Sequence, residues 1–295
     1  MSPELPIVPG RVSVITACLN DGQWLPETVA SVKAQTHPDV EHIVIDDGST
    51  DPHTIDVLDS LSAQGVTVLR LAHAGLPAAR NAGIAQSTGE FFLPLDCDDL
   101  IHPEYSARAV AAFEKHPDAA IAVPDIRYFG DQDRIAIAEP LPVGAALRDS
   151  SMPSAMFVRR SAFDAVGGYD PAISYGEDAE LWVRLMHRYP ERVFLREVLF
   201  YYRMRPGQMT SQSDVREVPS RAQIFCKNYD IFATHADGFL GRVRAERAAL
   251  AARYDAECRN VVPARTRQPR NFFEELFGLP PADETTGMRE VPVGE

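Results

Sequence analysis

The chain has 295 residues, of which 45% are hydrophobic and 24% charged, and its formal net charge is −13. This composition is typical of a globular protein with a substantial core, in one or two domains. The acidic balance argues against a nucleic-acid backbone as the main partner. Because the sequence has no run of about eighteen apolar residues and no leader-like start, we expect no transmembrane segment and a cytoplasmic location. A peripheral position at the inner face of the membrane is the alternative.

Strand and helix patterns alternate through the first hundred residues. Four apolar runs are predicted to form strands: Val12–Ala17, His42–Ile45, Val66–Leu71 and a run that ends at Asp96. Three segments between them have helical character: Gln23–Gln35, Pro52–Ala63 and a segment that contains residues 78–83. This alternation predicts a parallel, doubly wound α/β sheet with helices on both faces.

Polar residues follow three of these strands, after Ala17, after Ile45 and after Leu95. In an open parallel sheet the carboxyl ends of the strands meet at one edge, and ligands bind in the crevice beyond that edge. We therefore expect the three polar groups to line one crevice, although up to eighty residues separate them in the sequence.

The third polar group is an acidic cluster, in which Asp96, Asp98 and Asp99 follow the apolar run Phe91–Leu95. Carboxylates this close repel one another, and Mg²⁺ or Mn²⁺ is bound by one or two carboxylates together with substrate phosphates. The cluster therefore indicates a cation site. The structural alternative is an acidic turn before a helix, with Asp99 as the helix cap and Pro103 in the first turn.

The second half of the chain has less regular patterns. Its predicted elements are a helix Pro103–His116, a strand Ala119–Pro124, an irregular region with a hairpin at 127–147, and strands Pro153–Arg159 and Val193–Tyr202. A loop at Gly167–Pro171 precedes a helix whose first turn carries Glu177 and Asp178. Carboxylates are stabilised at a helix N-terminus, so a capped helix start is the structural explanation of this pair.

The C-terminal part is predicted to be helical from about Val218 to Arg259 and rich in proline from Val261. Residues 283–295 have the composition of a disordered tail. Phe272–Phe277 has the pattern of a short helix that docks on the body or on a partner. The four cysteines, Cys18, Cys97, Cys226 and Cys258, lie far apart in the sequence, so we expect reduced, packed thiols and no structural zinc.

Five motifs together resemble the inverting glycosyltransferases of family 2, which have the GT-A fold. They are the first strand with Asn20, the turn Ile45–Asp51, Arg80–Gly83, Asp96–Asp99 and Gly176–Asp178. The resemblance extends from about Val12 to Thr210 and implies a mostly parallel central sheet flanked by helices. It implies a catalytic domain (11–212). The sequence patterns outside this domain predict an N-terminal arm (1–10), a C-terminal helical extension (213–260) and a proline-rich, partly disordered tail (261–295). Within the catalytic domain, a nucleotide-binding half covers about 11–100 and an acceptor half about 101–212.

The resemblance also implies roles for individual residues. Asp178 matches the catalytic base, with Glu177 beside it, and Asp98 and Asp96 match the metal motif that binds Mn²⁺ or Mg²⁺. The implied nucleotide-binding residues are Ala17, Leu19, Asn20, Asp46, Asp47, Arg80, Asp96 and Cys97. The implied diphosphate or sugar contacts are Gly168, Tyr169, Arg203 and Arg205.

Two positions depart from the family pattern. Leu19 stands where many relatives have tyrosine, which predicts that stacking on the nucleobase is weaker or is supplied by another residue. Arg205 lies near the position where many relatives have a histidine that helps to bind metal or diphosphate. Because arginine pairs with phosphate oxygens and does not bind cations, Arg203 and Arg205 are predicted to clamp the diphosphate, and metal dependence stays open.

The resemblance implies transfer of a sugar from a UDP-, GDP- or dTDP-sugar to a hydroxyl of a glycan, a lipid-linked acceptor or a small molecule. One alternative is a nucleotidyltransferase of similar fold, although residues 17–23 lack the glycine-rich basic loop that is usual in that class. The other is a degenerate sugar-nucleotide-binding protein without catalytic activity. We further expect no nucleic-acid partner, and a homodimer through the C-terminal helices as one option.

Overall fold

The computed structural model describes residues 5–143, 152–206 and 213–236, together with Ala248. The chain divides into two compact units, Met1–Val243 and Arg244–Glu295. The fold described below is that of the first unit. The predictions for the tail 261–295, for Phe272–Phe277 and for helix between residues 237 and 260 lie outside the described residues, apart from Ala248, which is helical.

A mixed, mostly parallel sheet forms the centre of this unit. Its strands are β1 (Val8–Cys18), β2 (Val40–Asp46), β3 (Thr67–Arg70), β4 (Gly89–Asp96), β5 (Leu100–Ile101), β6 (Ile121–Gly130), β7 (Arg134–Ala136), β8 (Phe157–Arg159) and β9 (Arg192–Met204). They are ordered β3-β2-β1-β4-β8-β6-β9-β5, with β7 paired to β6. Strands β1 to β4 are mutually parallel, as are β6 and β9, whereas β5, β7 and β8 run antiparallel to their neighbours. This architecture confirms the predicted α/β class.

Helices connect the strands on both faces of the sheet. They are α1 (Leu25–Lys33), α2 (Pro52–Ala63), α3 (Leu76–Ala85), α4 (Tyr105–Lys115), α5 (Arg160–Val166), α6 (Glu177–Arg188), α7 (Ser213–Lys227) and α8 (Tyr229–Thr234). Helix α2 has the predicted bounds because Pro52 is favoured at a helix start and Asp51 Oδ2 accepts from the Thr54 N–H at 2.8 Å. Among the described residues, no helix is both long enough and apolar enough to cross a bilayer.

Several details differ from the sequence predictions. Strand β1 begins at Val8, inside the predicted arm, β6 continues to Gly130, and β5 was not predicted. The strand predicted at Pro153–Arg159 is short, and the chain turns at Arg160 into the unpredicted helix α5, which ends at Gly167 with a left-handed φ of 85°. The interpretation of Asp99 as a helix cap is wrong. Helix α4 begins only at Tyr105, and the Asp99 carboxylate instead accepts from the backbone N–H of Arg203 at 2.8 Å.

Alternate residues of the central strands pack into two separate hydrophobic layers. In β1, Ile15 packs on the side that also contains Trp182 of α6, and Val14 packs on the side that contains Phe113 of α4. Successive side chains of a strand point to opposite faces, so a strand covered by helices on both sides must be apolar throughout. The continuous hydrophobic runs that predicted the strands result from this burial on both faces of the sheet.

The register of β1 fixes the edge at which the polar residues lie. Cys18 is paired with Asp46 of β2, and Ala17 is paired with Asp96 of β4. The carboxyl ends of these three strands therefore lie side by side. The expectation that the polar groups after Ala17, Ile45 and Leu95 share one edge of the sheet is confirmed by this pairing.

Helix α3 lies close to the sheet because Gly83 has no side chain. A Cβ added there would lie 2.5 Å from Ile45 Cδ1 and 2.8 Å from Ile15 Cγ2. Both distances are shorter than carbon atoms tolerate, so the isoleucine side chains or the helix itself would have to shift.

We expect Gly83→Ala to lower the free energy of unfolding by about 1–3 kcal/mol, because overpacking outweighs the better helix propensity of alanine. Urea unfolding measures this change as a lower midpoint with an unchanged slope. The matched control is Ala85→Ser on the exposed side of the same helix, which should change stability by less than about 0.5 kcal/mol. Equal midpoints for the two variants would contradict the close packing of α3.

Candidate active site

The acidic turn after β4 contains three carboxylates in different environments. Asp96 is half-buried, Asp98 is mostly buried and Asp99 is only 1% exposed. Burial, together with the charges of Asp98 and Asp96, raises the pKa of Asp99 well above its usual range. Because Asp99 accepts the Arg203 N–H, its role is to hold the turn against the end of β9. This leaves Asp96 and Asp98 as the carboxylates nearest to solvent.

Arg205 connects Asp98 to the loop after β1. Its Nε donates to Asp98 Oδ2 at 2.9 Å, and its Nη2 donates to the carboxylate of Asp21. Burial and the neighbouring charge of Asp96 raise the pKa of Asp98, and Arg205 opposes this increase. Asp98 is therefore a mostly buried carboxylate whose charge is only partly balanced by Arg205. Such a carboxylate is a favourable position for a further cation or for a basic group of a ligand.

Arg80 of α3 joins two distant parts of the site. Its guanidinium is 2% exposed and donates to Asp96 Oδ1 and to Glu177 Oε1, both at 2.6 Å. Burial favours loss of the arginine proton, but the charges of Asp96 and Glu177 more than offset it, and the pKa of Arg80 is raised. One buried cation therefore fixes the end of β4 relative to the start of α6.

The first turn of α6 presents the other two carboxylates. Gly176 precedes the helix with a left-handed φ of 72°, and Glu177 and Asp178 follow. Burial raises the pKa of Glu177 to about 7 despite the opposing charge of Arg80. Burial also raises the pKa of Asp178, again against Arg80. Asp178 is half-buried, and one of its oxygens accepts from the Ala179 N–H at 2.7 Å. The other carboxylate oxygen of Asp178 is therefore available to accept a proton.

The predicted nucleotide-binding residues hold the loops that follow β1 and β2. Asn20 Oδ1 accepts from the N–H groups of Thr50 and Asp51 at 2.7 and 2.9 Å. Asp46 is 5% exposed and accepts from the Ser49 N–H at 2.8 Å. These hydrogen bonds hold the loops after β1 and β2 together, and the two loops form a wall at the edge of the sheet where these strands end.

Asp47 is directed toward the loop after β3. Its carboxylate accepts from the N–H groups of Ala74 and Gly75 at 2.9 and 3.0 Å and lies 2.8 Å from His73 Nδ1. The contacts described for the Asp47 carboxylate are therefore all with other residues of the protein. At the same edge, Ala17 is buried and Leu19 is 41% exposed, so Leu19 presents an aliphatic surface to solvent.

Gly168, Tyr169 and Arg203, which were predicted to contact sugar or diphosphate, have internal contacts in this structure. Tyr169 is 2% exposed, its backbone is bonded at both N–H and C=O to the side chain of Asn81, and the Gly168 carbonyl accepts from Arg184 at 2.6 Å. The Arg203 guanidinium lies over the rings of Trp24 and Phe129, at 4.2 and 4.5 Å. It also donates to Glu27 at 2.8 Å. Direct ligand contacts of these three residues stay predictions.

The sequence interpretation missed a second charged network beneath α6. Glu180 is fully buried and accepts from Arg184 and, at 3.2 Å, from Asn228, and it pairs with Lys227 of α7 at 2.9 Å. Lys227 also pairs with Asp170 at 2.6 Å. The four-residue spacing of Glu180 and Arg184 is a visible helical signal, whereas nothing in the sequence indicates that Lys227 returns to this helix.

The residues present fit a divalent cation only in part. Within the described ranges, no group of three or more His, Cys, Asp or Glu side chains could hold a metal ion alone. Carboxylates are nevertheless the donors that Mg²⁺ and Mn²⁺ prefer, and these ions commonly use one or two carboxylates and complete their shell with phosphates and water. Asp98 and Asp96 provide a set of that kind.

Several known proteins are similar to the chain. The model of the family Glycosyl transferase family 2 matches residues 13–165. An uncharacterized glycosyltransferase of Nostoc sp., alr2836, is 38% identical over 107 residues, which are 35% of this chain and 33% of the relative. Glycosyltransferase GlyG of Streptococcus pneumoniae is 24% identical over 245 residues, which are 73% of this chain and 78% of the relative. The match spans about a third of the Nostoc relative and about a quarter of protein y4gI of Sinorhizobium fredii.

Two solved structures have the same fold. S. aureus TarS 1–349 in complex with UDP-GlcNAc has a TM-score of 0.59 and 18% identity, over 76% of this chain and 73% of that one. The mannosyltransferase PcManGT from Pyrobaculum calidifontis, in complex with GDP-Man and Mn²⁺, has a TM-score of 0.59 and 16% identity, over 86% of this chain and 76% of that one. These likenesses confirm the predicted GT-A fold.

The sequence match and the fold agree with the motifs at the edge of the sheet. The family model covers more than half of the chain, which therefore belongs to glycosyl transferase family 2.

Proposed function

We propose that this protein transfers a sugar from a nucleoside-diphosphate sugar to an acceptor hydroxyl, with inversion at the anomeric carbon. The observation that carries the proposal is the double ion pair of Arg80, which brings the Asp96–Asp98 turn and the Glu177–Asp178 pair to one edge of the sheet. TarS and PcManGT, which share the fold, were solved with UDP-GlcNAc and GDP-Man. They support a donor of this class without choosing its base or its sugar.

Asp178 is the proposed general base. It takes the proton of the acceptor hydroxyl as the acceptor oxygen bonds to the anomeric carbon, and the nucleoside diphosphate leaves from the opposite face with the bonding electrons. A single displacement of this kind needs no covalent enzyme intermediate. Burial makes Asp178 a stronger base than a carboxylate in water, and a positioned base accelerates proton transfer by roughly 10²–10⁴-fold.

The negative charge on the departing diphosphate is balanced at the acidic turn and Arg205, on the side of the site away from Asp178. Asp98 and Asp96 would hold the divalent cation, which when bound stabilises the negative charge that develops on the leaving oxygen. Arg205, which lies between Asp98 and Asp21, is placed to pair with diphosphate oxygens, since a guanidinium matches phosphate geometry. Arg80 and Glu177 position the two carboxylate groups and are not expected to touch the reacting atoms.

The remaining edge residues are assigned to the nucleoside. Asp46, Asn20, Ala17, Leu19 and Cys97 lie at or just after the carboxyl ends of β1, β2 and β4. We place the base and ribose against this wall, so that the donor occupies the half of the domain formed by residues 11–100. The acceptor then approaches from the half formed by residues 101–212, which carries Asp178. The acceptor is a hydroxyl of a glycan, a lipid-linked molecule or a small molecule.

The proposed base is tested by Asp178→Asn, which keeps the shape of the side chain and removes its basicity. We expect turnover of UDP-GlcNAc or GDP-mannose, measured as nucleoside diphosphate release, to fall by roughly 10²-fold or more. Donor affinity measured by calorimetry should stay within about threefold. Asp56→Asn on the exposed side of α2 is the matched control and should behave as the parent protein. A variant that lost donor affinity but kept its turnover number would contradict the assignment.

The pH dependence separates Asp178 from its neighbour. Because the base must be ionised and burial raises the pKa of Asp178, turnover should decline as the pH falls through that raised value. The residual activity of Asp178→Asn should lack this decline. Glu177→Gln should retain it, although its turnover falls because the Arg80 ion pair is lost. If Glu177→Gln were the variant with the flat profile, Glu177 would be the base.

The proposed cation site is tested through Asp98→Asn. In the parent protein, Mn²⁺ should increase the thermal stabilisation produced by UDP or GDP, because binding to the folded state raises the melting temperature. In Asp98→Asn we expect the nucleotide effect to be the same with and without Mn²⁺. Asp56→Asn again serves as control. A full Mn²⁺ response in Asp98→Asn would remove this residue from the metal site.

A further inference from the structure

Two cysteines meet at the edge of the sheet where the donor is proposed to bind. Cys18 is the last residue of β1, and Cys97 directly follows Asp96, the last residue of β4. Ala17 and Asp96 are register partners in parallel strands, so the next residue of each strand lies beside the other and projects to the same face. The two thiols are close enough for each to shift the pKa of the other, and both side chains belong to the same buried cluster. The sequence, which separates them by almost eighty residues, gave no indication of this contact.

The usual spacing of neighbouring strands is compatible with a disulfide at this point. Neighbouring strands lie about 4.7–4.9 Å apart, and disulfides join residues whose Cα atoms are about 4.4–6.8 Å apart. Cys18 is 2% exposed and Cys97 is 7% exposed, so only a small oxidant or a small reductant can approach the pair, from the side of Cys97. The third described cysteine, Cys226, is exposed on α7.

We propose that Cys18 and Cys97 form a modification site, at which a peroxide converts the two thiols into a reversible disulfide. In the first step the O–O bond of the peroxide breaks, one sulfur becomes a sulfenic acid and one water is released. In the second step the other thiol attacks the sulfenic sulfur, the S–S bond forms and a second water leaves. The two thiols lose two electrons and two protons to the peroxide, and an external dithiol reverses the change.

The disulfide acts on the acidic turn, because Cys97 lies between Asp96 and Asp98. An S–S bond of about 2.05 Å is shorter than any non-bonded contact of two sulfur atoms, so the turn is drawn toward the end of β1. Arg80 and Arg205 hold Asp96 and Asp98 by bonds that depend on the position of this turn. This consequence rests on the proposed function. Since a displacement of about 1 Å at a reacting centre costs up to about 10²-fold, we expect donor turnover to fall by about tenfold or more.

The modification is tested on the full chain with hydrogen peroxide, followed by alkylation, digestion without reductant and mass spectrometry. We expect a peptide pair linked through Cys18 and Cys97 that is two hydrogens lighter than the thiol forms and that dithiothreitol separates. Cys226→Ser should give the same linked pair, whereas Cys18→Ala and Cys97→Ala should not. Recovery of both thiols as alkylated cysteines, or of Cys97 linked to another cysteine, would overturn the proposal. Circular dichroism of both alanine variants checks that they fold.

The functional consequence has a separate measurement. Oxidised and re-reduced samples of the Cys226→Ser protein are compared for turnover of UDP-GlcNAc and GDP-mannose. A tenfold loss that dithiothreitol restores supports control of the donor site, and equal turnover of both forms overturns that control while the disulfide itself stands. If neither form bound any nucleotide sugar, the proposed function would fail and the mass-spectrometric result would be unaffected.

Discussion

The structure of this site depends on one buried guanidinium. Arg80 is placed under the edge of the sheet by α3, and it pairs with Asp96 at the end of β4 and with Glu177 at the start of α6. Three carboxylates, those of Asp96, Glu177 and Asp178, would otherwise repel one another in a poorly solvated space. Loss of one partner from a buried ion pair costs about 3–5 kcal/mol, because it leaves an uncompensated charge. The carboxylates can therefore lie together only while Arg80 is fixed, and the close packing of Gly83 against β1 and β2 fixes it.

Arginine also balances the other carboxylates of the edge. Arg205 lies between Asp98 and Asp21, and Arg203 joins Glu27 while its backbone holds Asp99. Arg203 lies near the end of β9, and Arg205 follows the strand directly. The last strand in the sequence therefore supplies the positive charge that the acidic turn lacks in its own sequence. Arg205, which the sequence predicts to clamp the diphosphate, is thus part of the internal charge balance of the protein.

Much of the fold follows from local patterns in the sequence, whereas the charge pairing does not. The bounds of α2 were predictable because Asp51 and Pro52 act within one turn, and the strands were predictable because double burial makes them continuously apolar. The common edge of β1, β2 and β4 followed from the rule for parallel strands. Helix α5 was missed because its seven residues have no helical start signal. The internal roles of Asp47 and Arg203, and the meeting of Cys18 with Cys97, depend on contacts across 26 to 176 residues, for which a single sequence has no local signal.

Glu180 shows where the folding unit ends. Its fully buried carboxylate takes hydrogen bonds from Asn228 and an ion pair from Lys227, and both of these residues lie beyond the predicted catalytic domain boundary near residue 212. The compact unit accordingly extends to Val243. A protein shortened at that boundary would lose the ion pair with Lys227 and the hydrogen bond from Asn228 and would keep the ion pair with Arg184, one helical turn after Glu177 and Asp178. The end of α7 and the residue that follows it thus support the helix that carries the proposed base.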